Sequence, residues 1–105
     1  MGIFDFLGLS GKTEKVNDLL NDGAIIIDVR SQSEYEGGHI NNSKNVPLEK
    51  IDSYFGEWKK SEQAVVFCCA SGIRSGAATK KAKTAGIKAT NGGGWSSLNR
   101  IASAV

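Results

Sequence analysis

Short apolar runs alternate with amphipathic segments along this chain, and the two patterns predict strands and helices in turn. Residues 24–29 and 64–68 are continuous apolar stretches rich in β-branched residues, which is typical of strands buried on both faces. Two shorter extended pieces are predicted around residues 45–46, where Pro47 stops the strand, and over residues 87–90. Buried strands that are separated by helices indicate a parallel sheet.

The segments between the predicted strands carry helical patterns and capping signals. Ser10 is placed to cap a helix that runs to about Asn21, with apolar residues at helical spacing inside it. Ser31 and Glu34 have the spacing of a capping box, which opens a short helix that ends at the two glycines 37–38. Further helices are predicted over residues 48–58, 75–85 and 95–104, and a flexible loop over the Asn-Gly-Gly-Gly sequence of residues 91–94.

These elements predict a three-layer α/β domain in which helices flank a mostly parallel central sheet. The 105 residues are enough for one packed core and too few for two, so residues 1–105 are predicted to form one domain. The apolar residues 1–9 precede the first predicted helix and are a candidate for a loosely attached N-terminal segment.

Composition and charge argue against several classes of protein. The formal net charge is only +2, and the basic residues are spread along the chain, so nucleic acid is not an expected partner. No apolar stretch approaches the roughly 20 residues of a membrane span. The N-terminus lacks the basic region of a secretory signal, so a cytoplasmic location is expected. One histidine and two cysteines do not make a zinc site, and neither a metal nor a cofactor is expected.

Cys68 and Cys69 are adjacent, an arrangement that favours reactive-thiol chemistry over a structural disulfide. Cys69 stands where a predicted buried strand gives way to a helix, and the positive end of the helix dipole there favours a thiolate. Gly72 permits a turn that aims successive N–H groups at an anion, and Arg74 adds a positive charge with paired donors. Ser75 is placed to cap the helix and to offer the thiolate a hydrogen bond. Cys69 is therefore the candidate nucleophile, and the candidate binding loop is Ala70, Ser71, Gly72, Ile73, Arg74 and Ser75.

This loop and four other segments resemble the rhodanese family, whose members pair an Asp-Val-Arg strand end with a downstream Cys-x-x-Gly-x-Arg-Ser loop. The resemblance extends from about Ala24 to Leu98, and the order and spacing of its parts are more specific than any single part. Those parts are Asp28-Val29-Arg30, Glu34-Tyr35-Glu36-Gly37-Gly38-His39-Ile40, Asn45-Val46-Pro47-Leu48, Cys69-Ala-Ser-Gly72-Ile-Arg74-Ser75 and Gly92-Gly93-Gly94-Trp95.

The resemblance implies a sulfurtransferase of the thiosulfate type that works in two steps. Cys69 would take the outer sulfur of a small anionic donor such as thiosulfate, forming a persulfide. It would then pass that sulfur to a thiol or cyanide acceptor, and a sulfur-relay protein is a further candidate partner. The residue chemistry agrees, because loop N–H groups and Arg74 would stabilise both the donor anion and the persulfide. The family counterpart of His39 orders the fold, and the same role is expected here.

Cys68 leaves a second interpretation open. Counted from Cys68, the spacing to Arg74 is Cys-x5-Arg, which is the phosphate-binding loop of protein tyrosine phosphatases, so a phosphatase or arsenate reductase that uses Cys68 is the alternative. The apolar run through Phe67 makes Cys68 the predicted last residue of the strand, which favours Cys69 as the nucleophile. A third interpretation is a non-catalytic sulfur-carrier module, which would load sulfur without turnover.

The neighbouring strand ends supply candidates for the border of the site. Asp28 and Arg30 are open to two interpretations, as substrate neighbours or as the setting of an Arg30–Glu34 ion pair that ties the strand end to the next helix. The ion pair is the favoured prediction. The candidate border residues are Asp28, Arg30, Gly93 and Trp95.

Overall fold

The computed structural model of the protein describes residues 15–103, so the predictions for residues 1–9 and Ser10 lie outside the described residues. Within this range, four parallel strands form one sheet in the order β2–β1–β3–β4, which confirms the predicted parallel α/β fold. Since parallel strands end at the same edge of a sheet, the carboxyl ends of β1, β3 and β4 lie side by side. The strands are β1, Ile25–Asp28; β2, Lys44–Asn45; β3, Val65–Cys69; and β4, Ala89–Gly94.

Helices cover both faces of the sheet and give the predicted three layers. One buried cluster joins Trp58 and Ala78 to one face, and another joins Val16 and Leu98 to the opposite face. In residues 15–103, every helix is too short or too polar to traverse a bilayer. The helices are α1, described over residues 15–21; α2, Gln32–Glu36; a 3-10 helix, Leu48–Tyr54; α3, Phe55–Ser61; α4, Ile73–Thr84; and α5, Trp95–Ser103.

The central strand β3 divides its side chains between the two clusters. Val65, Phe67 and Cys69 belong to the cluster with α3 and α4, whereas Val66 and Cys68 belong to the cluster with α1 and α5. All five residues are fully buried. Because side chains alternate along a strand, the adjacent residues Cys68 and Cys69 point to opposite faces of the sheet.

Several element boundaries differ from the predictions, including that of β4, which was predicted over residues 87–90 and is Ala89–Gly94. β3 runs one residue further, so that Cys69 is the last strand residue instead of the first loop residue. α4 begins at Ile73 with Gly72 at its N-cap position, so the prediction that Ser75 caps this helix is wrong. The predicted helix over residues 48–58 begins as the 3-10 helix and continues as α3.

The glycine-rich residues 91–94 are the last four of the six residues of β4, so the prediction of a flexible loop there is wrong. A β-bulge in this segment shifts the register between β3 and β4. A Cβ on Gly92 would lie 2.8 Å from Cγ1 of Val66 and 2.9 Å from Cδ2 of Leu98. Glycine is therefore required at this position by close packing in the core, and the chain is fixed there by strand pairing.

Candidate active site

The Cys69 sulfur lies at the carboxyl end of β3, against the first turn of α4. The N–H groups of Gly72 and Ser75 donate to Sγ at 3.0 and 3.3 Å, and the Ser75 hydroxyl lies 3.3 Å from Sγ. N–H groups at the start of a helix have no acceptor within the helix, so they are free to bind an anion. The sulfur atom therefore occupies an anion-binding position built largely from the main chain.

Burial and hydrogen bonding act in opposite directions on the Cys69 thiol. Burial raises its pKa, whereas hydrogen bonds from the Ser75 hydroxyl and from the N–H groups of Ser75, Gly72 and Ser71 lower it, and the net effect is a lowered pKa. The thiolate is the nucleophilic form of cysteine, so this environment increases the reactive fraction at neutral pH. Cys69 itself has no exposed surface, while the following Ala70 and Ser71 are exposed.

The loop reaches this position because it lies directly against the glycine-rich end of β4. Gly72 has a φ of +99°, which L side chains rarely adopt, and a Cβ there would lie 3.4 Å from Cα of Gly93. A Cβ on Gly94 would come within 2.8 Å of the carbonyl oxygen of Ala70. Gly93, a predicted border residue, thus lies beside the loop, and a side chain at Gly94 would push the loop away from the sheet.

Asn91, which the sequence analysis did not single out, holds the loop from β4. Its Nδ2 donates to the carbonyl of Gly72 (3.1 Å), and its Oδ1 accepts from the Ser75 hydroxyl (2.7 Å) and from the N–H of Gly93 (2.9 Å). Since Ser75 has one hydroxyl proton, that proton must turn away from Asn91 to bond a Cys69 thiolate. The available signal was an asparagine beside a glycine run, but this pattern is equally typical of turns.

Replacing Asn91 with aspartate is expected to weaken the nucleophile while preserving the shape of the side chain. A carboxylate cannot donate to the Gly72 carbonyl, and its negative charge near the sulfur disfavours the thiolate, which raises the pKa of Cys69. Alkylation of Cys69 by iodoacetamide is therefore expected to be about tenfold slower at pH 7 and to recover at high pH. The matched control is Asn42→Asp, which adds the same charge at an exposed position. A pH profile shared by both variants would contradict this role for Asn91.

Arg74 is anchored to α2. Its Nη1 and Nη2 donate to the two carboxylate oxygens of Glu34 at 2.8 and 3.0 Å. Glu34 also completes the capping box with Ser31, which confirms that prediction. Hydrogen bonds from Arg74 and Ser31 lower the pKa of Glu34 to about 2, so the pair is ionised at neutral pH. Any contribution of Arg74 to anion binding would therefore be made from within this pair.

Arg30 forms its ion pair with Asp28, so the predicted Arg30–Glu34 ion pair is wrong. Nε and Nη2 of Arg30 donate to the Asp28 carboxylate at 3.0 and 2.9 Å, and both residues are buried. The two side chains meet because residues two apart on an extended chain share a face. The guanidinium also donates to the carbonyls of Glu34 and Gly38 and lies 4.9 Å from the ring of Trp95. This buried polar cluster fixes the chain that leads from β1 into α2.

Cys68 faces away from the candidate loop. It is packed among apolar side chains of the α1 and α5 layer, and burial raises its pKa well above the usual range. A buried thiol with a raised pKa is a poor nucleophile. The geometry therefore favours Cys69 as the reactive residue and gives no support to a Cys-x5-Arg loop that begins at Cys68.

His39 is an exposed residue in the segment that follows α2. Its ring stacks on that of Tyr35 with the centroids 3.8 Å apart, and its Nδ1 lies 2.7 Å from the Tyr35 carbonyl oxygen. Both rings line a cavity of about 440 Å³ together with Asn45, Lys50 and Tyr54. The described contacts of His39 are thus made to Tyr35 of α2, and the residues that line the cavity do not include the Cys69 loop.

The fold and the site together define an α/β domain in which a cysteine loop connects the central strand of a parallel sheet to the next helix. The comparison with known families assigns the chain to one family. Residues 12–99 match the family model of the rhodanese-like domain, and the chain belongs to that family. This agrees with the resemblance carried by the sequence motifs.

Two curated proteins and one solved structure show how far the similarity extends. The chain is 37% identical over 57 residues to the uncharacterized protein YqhL of Bacillus subtilis (strain 168), covering 54% of this chain and 44% of that protein. It is 35% identical over 71 residues to tRNA uridine(34) hydroxylase of Cronobacter sakazakii (strain ATCC BAA-894), covering 60% of this chain and 20% of that enzyme. A rhodanese-like domain protein from Staphylococcus aureus superposes with a TM-score of 0.67 and 27% identity, covering 83% of this chain and 86% of that one. The chain thus spans less than half the length of the two curated proteins.

Proposed function

We propose that this protein is a sulfurtransferase that carries sulfane sulfur as a persulfide on Cys69. The observation that supports the proposal most strongly is the position of the Cys69 Sγ. This atom accepts hydrogen bonds from the N–H groups of Gly72 and Ser75 at the start of α4. The outer sulfur of a persulfide would carry its negative charge one sulfur–sulfur bond from Sγ, so N–H groups at the start of α4 would stabilise that anion as they stabilise the thiolate.

In the first step, the Cys69 thiolate attacks the outer sulfur of thiosulfate or a related donor. A sulfur–sulfur bond forms to Cys69 while the bond between the two donor sulfurs breaks, and its electron pair leaves with sulfite. The charge balances, because a thiolate and a dianion become a persulfide anion and a sulfite dianion. Cys69 has no exposed surface, so the exposed segment of Ala70 and Ser71 must move aside to admit the donor.

In the second step, an acceptor attacks the outer sulfur of the persulfide and Cys69 leaves as the thiolate. Cyanide would give thiocyanate, and a thiol would give a new persulfide. No cofactor is needed, because both steps are displacements at sulfur that require neither an oxidant nor a reductant. The chemistry requires Cys69 in its reduced form, and a reducing compartment such as the cytoplasm is the location we propose.

The proposal is tested by treating the protein with thiosulfate and measuring the intact mass. A gain of about 32 Da, one sulfur atom, is expected on a single residue. Peptide mapping after alkylation should place the added sulfur on Cys69. A protein that gains no sulfur, or gains it on Cys68, would overturn the assignment, as would hydrolysis of p-nitrophenyl phosphate that depends on Cys68.

Turnover with cyanide separates the proposed enzyme from a sulfur carrier. If the protein is an enzyme, each Cys69 that loads sulfur is expected to yield many equivalents of thiocyanate while thiosulfate and cyanide are in excess. Loading without release to cyanide or to any small thiol would instead assign the protein to the carrier class.

A further inference from the structure

The two arginines beside the candidate site both form ion pairs with carboxylates. Arg30 is buried and paired with Asp28, and Arg74 is paired with Glu34 through two hydrogen bonds of 2.8 and 3.0 Å. A guanidinium and the carboxylate beside it together carry almost no net charge, so the pair attracts a second anion only weakly. The positive character of the site therefore comes mainly from main-chain N–H groups.

Glu34 is held in place independently of Arg74. Its carboxylate accepts hydrogen bonds from the N–H and the hydroxyl of Ser31 at 3.0 and 3.1 Å, within the capping box of α2. The residue pairs with Arg74 across 40 positions of sequence. Because α2 fixes the carboxylate, Arg74 is drawn toward α2 and its charge is neutralised there.

The charge of the donor decides how much this pair matters. Thiosulfate carries one negative charge at its outer sulfur and a second on its sulfonate group, whereas an alkyl persulfide or a thiosulfonate carries only one. Main-chain N–H groups near Cys69 can accommodate the charge on the reacting sulfur. The second charge of thiosulfate would need a free cation, and Glu34 both occupies Arg74 and adds a negative charge nearby.

From this arrangement we propose that Glu34 is a specificity-determining residue, which holds Arg74 in an ion pair and thereby favours singly charged sulfane donors over doubly charged ones. The inference rests on the proposed sulfurtransferase function and names the class of donor that the site accepts. Thiosulfonates and alkyl persulfides belong to that class.

The test compares thiosulfate with methanethiosulfonate, which presents the same outer sulfur but carries one charge and releases methanesulfinate. Glu34→Gln keeps an oxygen for Ser31 and removes the charge that neutralises Arg74. Since electrostatic energy scales with donor charge, kcat/KM is expected to rise about ninefold for thiosulfate and about threefold for methanethiosulfonate. The gain should lie in KM and should shrink as salt is added.

Two controls identify the pair as the cause. Glu36→Gln makes the same change of net charge on the same helix, where Glu36 accepts only from Gln32 among the described side chains, and it should leave the preference between the donors unchanged. In the double variant Glu34→Gln with Arg74→Ala, the gain with thiosulfate should disappear. The proposal is overturned if Glu34→Gln leaves the ratio of kcat/KM for the two donors unchanged or lowers kcat/KM equally for both. It is also overturned if Glu36→Gln changes that ratio as much as Glu34→Gln does. Failure of the proposed function itself is recognised separately, because Cys69 would then gain no sulfur from either donor in any variant.

Discussion

Replacing Cys69 with serine is expected to abolish sulfur transfer, with a loss of at least about a thousandfold in the rate of thiocyanate formation. A hydroxyl cannot form the persulfide, and serine at this position keeps the N–H contacts of the loop without the nucleophile. The measurement is steady-state formation of thiocyanate from thiosulfate and cyanide. Retention of more than a small fraction of the activity would show that another residue accepts the sulfur.

Cys68→Ala is the matched control for this variant. Cys68 lies one residue away but on the opposite face of the sheet, so the activity is expected to stay within about twofold of the unaltered protein. Because Cys68 is fully buried, the substitution should cost about 1 kcal/mol of stability. If Cys68→Ala were instead the inactive variant, Cys68 would be the residue that carries the sulfur, and the assignment of Cys69 would be overturned.

Replacing Asp28 with alanine is expected to give the largest loss of stability, about 3 kcal/mol or more in the free energy of unfolding. Asp28 is completely buried and Arg30 is 5% exposed, so the substitution leaves a buried guanidinium without its counter-ion. The carbonyls of Glu34 and Gly38 still accept hydrogen bonds from Arg30 in this variant. The expected loss of stability is therefore near the lower end of the range for breaking a buried ion pair. Urea unfolding at neutral pH measures the change.

Asp52→Ala supplies the comparison for Asp28. Asp52 pairs with Lys81 at 3.2 Å, but the two side chains are 66% and 49% exposed. An exposed pair is screened by water, so this variant should lose less than about 1 kcal/mol. Equal losses in the two variants would show that the Asp28–Arg30 pair contributes no more than a surface ion pair.

Local patterns were sufficient to predict much of the fold. The capping box of Ser31 and Glu34 depends on residues three apart, and the structure contains it as predicted. The β-branched run at residues 24–29 predicted a buried strand, and β1 lies inside it. In each case the interactions that define the element are made by neighbours in sequence, so the sequence alone is informative.

Predictions that depended on distant partners were less successful. Glu34 was expected to pair with Arg30 and instead pairs with Arg74, which only the packing of α2 against the loop brings near. Asn91 was interpreted as part of a loop from the glycines that follow it, and its partners Gly72 and Ser75 belong to a different strand–helix unit. Both contacts depend on strand order in the sheet, and the spacing of residues along one chain does not determine that order.

The placement of two adjacent cysteines on opposite faces of β3 bears on how long a captured sulfur would survive. A persulfide with a second thiol in reach collapses to a disulfide and releases its outer sulfur as hydrogen sulfide. Here the neighbouring thiol of Cys68 is on the other side of the sheet, packed in the α1 and α5 layer. A sulfur atom held by Cys69 would therefore have no internal route of decay through Cys68, and its lifetime would be set by the acceptor that arrives from outside.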